Sequence, residues 1–160
     1  MNYHKDFNHL LKDYGELVGL SGVEATDKGF CALMVGGDLA VQMLLDEKTG
    51  SLAFFVNLGK IEEEDRANAY PYILAANVLW VGTAGATLGV DYEGFVMVCY
   101  HEQLPGMDGE RFARIIDNLV TVAMDWEENL VSIRQGDAEA LGEQGESRPE
   151  TDVPASGIRI

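Results

Sequence analysis

Apolar residues recur every three or four positions in two segments, one at the start of the chain and one after residue 108. In residues 3–19 this spacing predicts a helix that stops at Gly19. In the later segment Asp108 is placed to cap a long helix, whose apolar stripe runs from Phe112 to Ile133. The pattern therefore predicts a first and a last helix with one buried face each.

Between these helices lie short apolar runs that are typical of β-strands. The runs cover residues 30–35, 39–45, 52–58, 87–91 and 95–101. The first three are separated by short connectors that contain glycine, which favours antiparallel hairpins. In the second run Val41 and Met43 lie on one face, while Gln42 and Leu44 lie on the other. This alternation predicts one well-buried face and one mixed face.

A further helix is predicted between the third and fourth strands. The acidic residues 62–65 suit a helix start, because the helix dipole favours negative charge there. Pro71 fits best within the first turn, which makes Asn68 the better cap and predicts a helix over 69–81. Residues 75–81 are apolar on nearly every side, so one sheet cannot cover them. We expect a second copy of the chain to bury the excess, unless all of these residues are core of one chain.

The predicted order α-β-β-β-α-β-β-α indicates an α+β fold, in which three helices cover a curled antiparallel sheet. We assign residues 1–134 to one domain. Residues 135–160 lose the periodicity and are rich in Gly, Glu, Ser and Pro. That composition predicts an acidic, disordered C-terminal tail.

The formal net charge of −16 narrows the possible partners. Such a surface repels phosphate backbones and anionic lipids, so nucleic acids and membranes are not expected partners. The first residues lack a signal peptide's basic and apolar regions, and no apolar stretch approaches membrane-spanning length. We therefore expect a cytoplasmic protein. Cys31 and Cys99 lie in apolar runs and are read as inert buried thiols.

No set of residues forms a recognisable active site or metal site, so we predict neither an enzyme nor a cofactor. His4 and His9 are five residues apart and make a poor metal pair on a helix. His101 and Glu102 are neighbours in a strand and point to opposite faces. The glycine run 82–85 follows a helix and leads into a strand, which is the reverse of a phosphate-binding loop.

Residues 74–80, Leu-Ala-Ala-Asn-Val-Leu-Trp, are followed by a Gly-Thr-Ala-Gly turn and by the strand sequence Ala-Thr-Leu-Gly-Val-Asp. With the predicted element order and the acidity, this segment resembles the class I type III secretion chaperones, the Tir-chaperone or CesT-like family of Gram-negative bacteria. The chain departs from the commonest pattern at Ala84 and in its extended acidic C-terminus. The resemblance implies a cytoplasmic homodimer that binds the N-terminal region of a secreted effector in extended form, without ATP or chemical change.

The resemblance also implies two sets of site residues. The expected dimer interface comprises residues of the second helix and the fourth strand: Ile73, Ala76, Asn77, Trp80, Leu88 and Val90. The expected effector-binding residues lie on the first helix and the early strands: Leu11, Tyr14, Phe30, Ala32, Met34, Val41, Met43 and Phe54. The alternative for the second set is that they are core residues.

Two other functions remain open from the sequence. The first is an acidic adaptor or regulator of the same fold that binds folded partners. The second is a small enzyme that uses His101 with a nearby carboxylate. For the tail, the possible roles are contact with the secretion ATPase, masking of the client groove, or neither.

Overall fold

A computed structural model describes residues 2–136 and contains the predicted order of main elements. The helices are α1 (Tyr3–Val18), α2 (Arg66–Ala76) and α3 (Gly109–Gln135). The strands are β1 (Phe30–Val35), β2 (Leu39–Asp46), β3 (Ser51–Lys60), β4 (Thr87–Val90) and β5 (Phe95–Gln103). Short 3-10 helices at Glu63–Asp65 and Val78–Trp80 flank α2.

The five strands form one antiparallel sheet in the order β1-β2-β3-β5-β4. The two early hairpins are confirmed, and each pairs strands that follow one another in the chain. Strand β5 inserts between β3 and β4, so β1 and β4 are the two edge strands. The register between β3 and β5 shifts between Asn57 and Lys60. The α+β fold is therefore confirmed.

Capping residues fix the ends of α1 and α3. The Asn2 side chain accepts a hydrogen bond from Lys5 N at 3.0 Å, and Asp108 accepts one from Arg111 N at 2.7 Å. Gly19 and Gly136 close the two helices in the left-handed conformation. The predicted cap at Asp108 and the predicted stop at Gly19 both hold. The predicted tail lies outside the described residues, except that Gln135 completes α3 and Gly136 caps it.

The predicted bounds of α2 are wrong at both ends. The helix begins at Arg66, directly after the acidic 3-10 turn, so Pro71 is an interior residue rather than a member of the first turn. Pro71 has no N–H to bond the carbonyl of Ala67, and the helix tolerates that loss. The helix ends at Ala76 because Leu79 and Trp80 adopt positive φ angles of 55° and 54°.

The core lies between one face of the sheet and the helices α1 and α3. Phe112 of α3 is at its centre, with its ring 5.1 Å from that of Tyr14 and 5.6 Å from that of Phe54. The helices α1 and α3 approach closely at Gly109, where a Cβ atom would lie 3.1 Å from Leu17 Cδ1. We call the sheet face that bears Phe54 and Val98 the inner face, and the opposite one the outer face.

Candidate functional site

The outer face of the sheet is apolar, and none of the helices described between residues 2 and 136 packs on it. The buried strand residues alternate with partly or fully exposed ones, because successive side chains point to opposite faces. The outer-face residues of the four longer strands are Phe30, Ala32, Met34, Ala40, Gln42, Leu44, Asp46, Ser51, Ala53, Phe55, Asn57, Lys60, Phe95, Met97, Cys99, His101 and Gln103. The two charged members, Asp46 and Lys60, lie at strand ends, so the central part of this face contains no Asp, Glu, Lys or Arg, although the chain has a net charge of −16.

The strand register arranges these side chains in rows across the sheet. One row contains Phe30, Leu44, Ala53 and His101. The next contains Ala32, Gln42, Phe55, Cys99 and Thr87, so Phe55 lies at the middle of the sheet. Apolar side chains in adjacent rows form a continuous surface, and exposed surfaces of this kind mark binding sites.

The edge strand β1 presents backbone groups that no residue of the described part of the chain bonds, next to this face. Leu45 N donates to Gly29 O at 3.0 Å, so the backbone of Gly29 points toward β2. Phe30 points the other way, because its carbonyl accepts from Thr26 N at 2.8 Å. Backbone direction repeats every second residue in a strand, so Ala32 and Met34 also direct their N–H and C=O groups away from β2. We call these groups the open β1 edge.

A second exposed apolar surface follows the end of α2. It comprises Leu74 and residues 78–81, and we call it the apolar ridge. Leu79 and Val81 expose 78% and 79% of their surface, and Trp80 exposes 54%. Large apolar side chains at such exposure are unusual in adjacent positions. The ridge is therefore a candidate contact surface.

Hydrogen bonds fix the base of the ridge to the rest of the protomer. Asn77 Oδ1 accepts from Leu88 N at 2.9 Å, and Asn77 Nδ2 donates to Leu88 O at 2.9 Å. The Trp126 indole N–H donates to Gly82 O at 2.9 Å, and the Asn118 amide donates to Ala84 O at 3.1 Å. These contacts join the segment to β4 on one side and to α3 on the other.

The structure places the six residues of the predicted dimer interface in different environments within the protomer. Ile73 and Leu88 are buried inside the protomer and present no side chain to a second copy. Asn77 is engaged with β4, while Ala76 and Val90 are half-buried. Of the six predicted residues, Trp80 is the exposed one. The exposed Leu74, Val78, Leu79 and Val81 are not among the predicted residues, because a strongly apolar segment gives no sign of which side faces the protomer.

The predicted effector-binding residues divide between the two faces of the sheet. Phe30, Ala32 and Met34 lie on the outer face, and Met34 exposes 61% of its surface. The other five are core residues, on α1 or on the inner face of the sheet, and cannot touch a client in this structure: Leu11, Tyr14, Val41, Met43 and Phe54. That part of the prediction is corrected. The outer-face residues Leu44, Phe55 and Met97 are not among the predicted residues, although their alternation with the buried positions places them on this face.

The cysteine, histidine and acidic side chains of the sheet do not come together as a catalytic or metal-binding group within the described residues. Burial raises the pKa of the Cys31 and Cys99 thiols, which makes them poorer nucleophiles at neutral pH. Within residues 2–136 no group of three or more His, Cys, Asp or Glu side chains is arranged to hold a metal ion. His101 lies on the outer face, whereas Glu102 bonds Arg111 at 2.7 Å on the other side of β5. This separates the two members of the hypothetical acid–base pair.

A family model for the Tir chaperone protein (CesT) family matches residues 9–127. The chain belongs to the CesT family. The match runs from α1 into α3 and therefore includes all five strands, the outer face and the apolar ridge. No curated protein sequence matches the chain.

The chain is similar in fold to chains of several solved protein complexes. A chain of the ExsC–ExsE complex is 19% identical with a TM-score of 0.68, over 80% of this chain and 96% of that one. A chain of the HopA1–SchA chaperone–effector complex is 17% identical with a TM-score of 0.67, over 78% and 95%. A chain of the complex between the Yersinia pestis type III secretion chaperone SycH and a stable fragment of YscM2 is 18% identical with a TM-score of 0.61, over 74% and 98%.

These likenesses establish the architecture of this CesT-family chain, at identities too low to transfer individual residue roles. None of the helices described between residues 2 and 136 is both long and apolar enough to cross a membrane. The family and the fold point to binding rather than to catalysis.

Proposed function

We propose that this protein is a homodimeric type III secretion chaperone that binds the N-terminal region of a secreted effector in extended form. The observation that carries the proposal is the apolar outer face beside the open β1 edge, in a chain of the CesT family. The bound effector stays soluble and competent for export in the bacterial cytoplasm. No chemical step or cofactor takes part. The secretion ATPase is the partner that would receive the loaded complex.

The open β1 edge suits an extended client because a sheet edge can bind an added strand through its backbone. Ala32 and Met34 offer their N–H and C=O groups over a short distance. The edge is closed at Phe30 by Thr26, and β1 ends at the glycine turn 36–37. The added strand is therefore short, and the rest of the client must bind elsewhere on the protein.

The outer face supplies that additional surface. An extended segment with apolar side chains at alternate positions, or a short amphipathic helix, can cover Leu44, Phe55 and Met97. Because methionine is flexible and polarizable, Met34 and Met97 accept side chains of different shapes. Both features favour an unfolded client over a folded one.

The apolar ridge is the surface that we assign to the homodimer. A two-fold contact would bury Leu79, Trp80 and Val81 against their own copies. The half-buried Ala76 and Val90 border this surface and keep their place in the proposed interface.

An acidic adaptor that binds folded partners is the alternative function, and the net charge of −16 favours it because charge attracts basic surfaces over long distances. Co-expression with an N-terminal effector fragment separates the two functions. A chaperone should keep the fragment soluble and co-purify with it. An adaptor should leave the fragment insoluble and bind folded protein instead.

Proline variants test the role of the open β1 edge. Ala32→Pro removes an N–H that points away from β2, so the fold should persist while client co-purification falls. Leu33→Pro is the matched control, because that N–H lies on the side of β2 and its loss should destabilise the whole protein. Full client binding by a folded Ala32→Pro protein would remove strand addition from the proposal.

Light scattering tests the proposed homodimer. At micromolar concentration the native chain should have the mass of a dimer, and Trp80→Glu should reduce it to that of a monomer. Met124→Glu is the control, since Met124 lies on α3 and exposes 56% of its surface, close to the 54% of Trp80. An unchanged dimer mass for Trp80→Glu would exclude this residue from the interface.

A further inference from the structure

The turn after α2 contains two adjacent residues in a conformation that L-amino acids with long side chains avoid. Leu79 has φ 55° and ψ 18°, and Trp80 has φ 54°. In the left-handed region the Cβ atom crowds the backbone, so both residues carry conformational strain. A strained conformation persists only where surrounding contacts favour it.

Contacts within the protomer give little compensation for that strain. The side chains of Val78, Leu79, Trp80 and Val81 are all exposed. The backbone hydrogen bonds in this turn are long, at 3.3 Å from Trp80 N to Asn77 O and 3.4 Å from Val81 N to Val78 O. The turn is therefore strained, apolar and weakly bonded at the same time.

Firm contacts lie on both sides of these four residues. On one side Asn77 is bonded to Leu88. On the other, α3 holds Gly82 through Trp126 and holds Ala84 through Asn118. In the turn Gly82 N also donates to Ala76 O at 3.3 Å, and a continued helix breaks that bond because it carries the chain away from Ala76. The conformational change therefore involves residues 78–82, with Gly82 and Gly85 available to adjust the connection.

The sequence of this segment favours a helix. None of residues 78–81 is glycine or proline, and the helical pattern of α2 continues to Val81. In a continued helix Leu74, Val78 and Val81 would fall at positions i, i+4 and i+7 and form one apolar stripe. In the strained turn the positive φ angles of Leu79 and Trp80 remove Val81 from that helical position.

We propose that contact with a second copy converts residues 78–81 into a continuation of α2, which then ends at Val81. The conversion relieves the positive φ angles and aligns the apolar stripe at the interface. It rests on the proposed homodimer and deepens it: the interface is formed by pairing, and the free protomer holds it in a strained state.

Glycine and alanine variants at Leu79 test this proposal, because the two residues have opposite preferences in a turn and in a helix. In the left-handed turn glycine is favoured over alanine, whereas in a helix alanine is favoured. Leu79→Gly should therefore dimerise at least about 100-fold more weakly than Leu79→Ala, as both protomers convert. At concentrations where both variants are dimers, Leu79→Gly should unfold about 2–5 °C lower.

Two control pairs define the sign of each effect. Glu127 is exposed on α3, so Glu127→Gly against Glu127→Ala shows the helical order of stability. Gly37 has φ 94°, so Gly37→Ala against the native chain shows the order in a turn. If Leu79→Gly is as stable as Leu79→Ala or more so, and dimerises as tightly, the turn persists in the dimer and the proposal is wrong.

A measurement on the unmodified chain covers the case in which truncation at position 79 itself abolishes pairing. NMR coupling constants of Leu79 and Trp80 in the dimer report their φ angles directly. Negative φ angles support the conversion, and positive ones overturn it while leaving the homodimer intact. A native chain that is monomeric by light scattering would overturn both the homodimer and the conversion.

Discussion

The side-chain amide of Asn77 pairs with both backbone groups of Leu88, accepting from its N–H and donating to its C=O at 2.9 Å each. Leu88 lies on the edge strand β4, whose other side pairs with β5. The Asn77 side chain therefore acts as the missing neighbouring strand at this position. This contact closes one edge of the sheet locally and attaches α2 to it.

Replacing Asn77 should destabilise the fold. Asn77→Ala leaves the backbone groups of Leu88 without these partners, and we expect a loss of about 2–3 kcal/mol in the free energy of unfolding. Asn118→Ala is the control, because it removes a single exposed bond and should cost about 0.5–1 kcal/mol. Urea titrations compare the two. Equal losses would mean that the two hydrogen bonds to Leu88 stabilise the fold no more than the single one from Asn118.

Phe54 and Phe55 should respond differently to the same substitution. Phe54 is 1% exposed and packs against Phe112, so Phe54→Ala should lower the free energy of unfolding by about 3–5 kcal/mol. Phe55 is half-buried on the outer face, so Phe55→Ala should lose less than half as much. It should instead reduce co-purification of an effector fragment. A Phe55→Ala protein that is as unstable as Phe54→Ala would contradict the assignment of faces.

Alanine at Gly50 should be more damaging than alanine at Gly36. Both glycines have positive φ angles, 69° and 65°, and each substitution adds about 1–2 kcal/mol of backbone strain. A Cβ atom at Gly50 would in addition lie 2.5 Å from Cε1 of Tyr3, whereas at Gly36 it meets nothing within 4 Å.

Thermal unfolding of Gly50→Ala in a Tyr3→Ala background isolates that contact. The extra loss at Gly50 should shrink toward the Gly36 value once the ring is removed. A full loss in both backgrounds would place the cost in the backbone instead.

Glu102 should contribute a pH-dependent part of the stability. Burial opposes its ionisation, but hydrogen bonds from Gln103 N, Arg111 and Tyr100 outweigh that effect and hold its pKa below the ordinary value of 4.5. Its contribution is therefore present above pH 4.5 and is lost as the pH falls through the lowered pKa. Glu102→Gln should be less stable than the native chain at pH 7, and the difference should shrink in acid. A constant difference from pH 7 to pH 3 would contradict this account.

The element order and most strand bounds are visible in the sequence because apolar alternation and glycine connectors are local signals. The predicted strands begin within one residue of the observed ones. The faces are harder to assign. Strand β3 contains Leu52, Ala53, Phe54, Phe55 and Val56, and a strand that is apolar on both sides does not indicate which face the helices cover.

The end of α2 also could not be predicted from the sequence, because it depends on contacts outside the segment. Its residues favour a helix to Val81, and the positive φ angles at Leu79 and Trp80 depend on tertiary contacts that local propensity does not include. The apolar ridge is consequently displaced from the predicted interface residues toward the turn. Leu88 was expected at that interface and is instead a core residue.

The open β1 edge and the apolar outer face also set the conditions under which the protein can be handled. Bare sheet edges promote uncontrolled association between copies, and mutual repulsion at a net charge of −16 opposes it near neutral pH. The sequence has an isoelectric point of about 4.3, where that repulsion vanishes. Mild acidification should therefore precipitate the unliganded protein while it is still folded, and a bound client that covers the edge should widen its range of solubility.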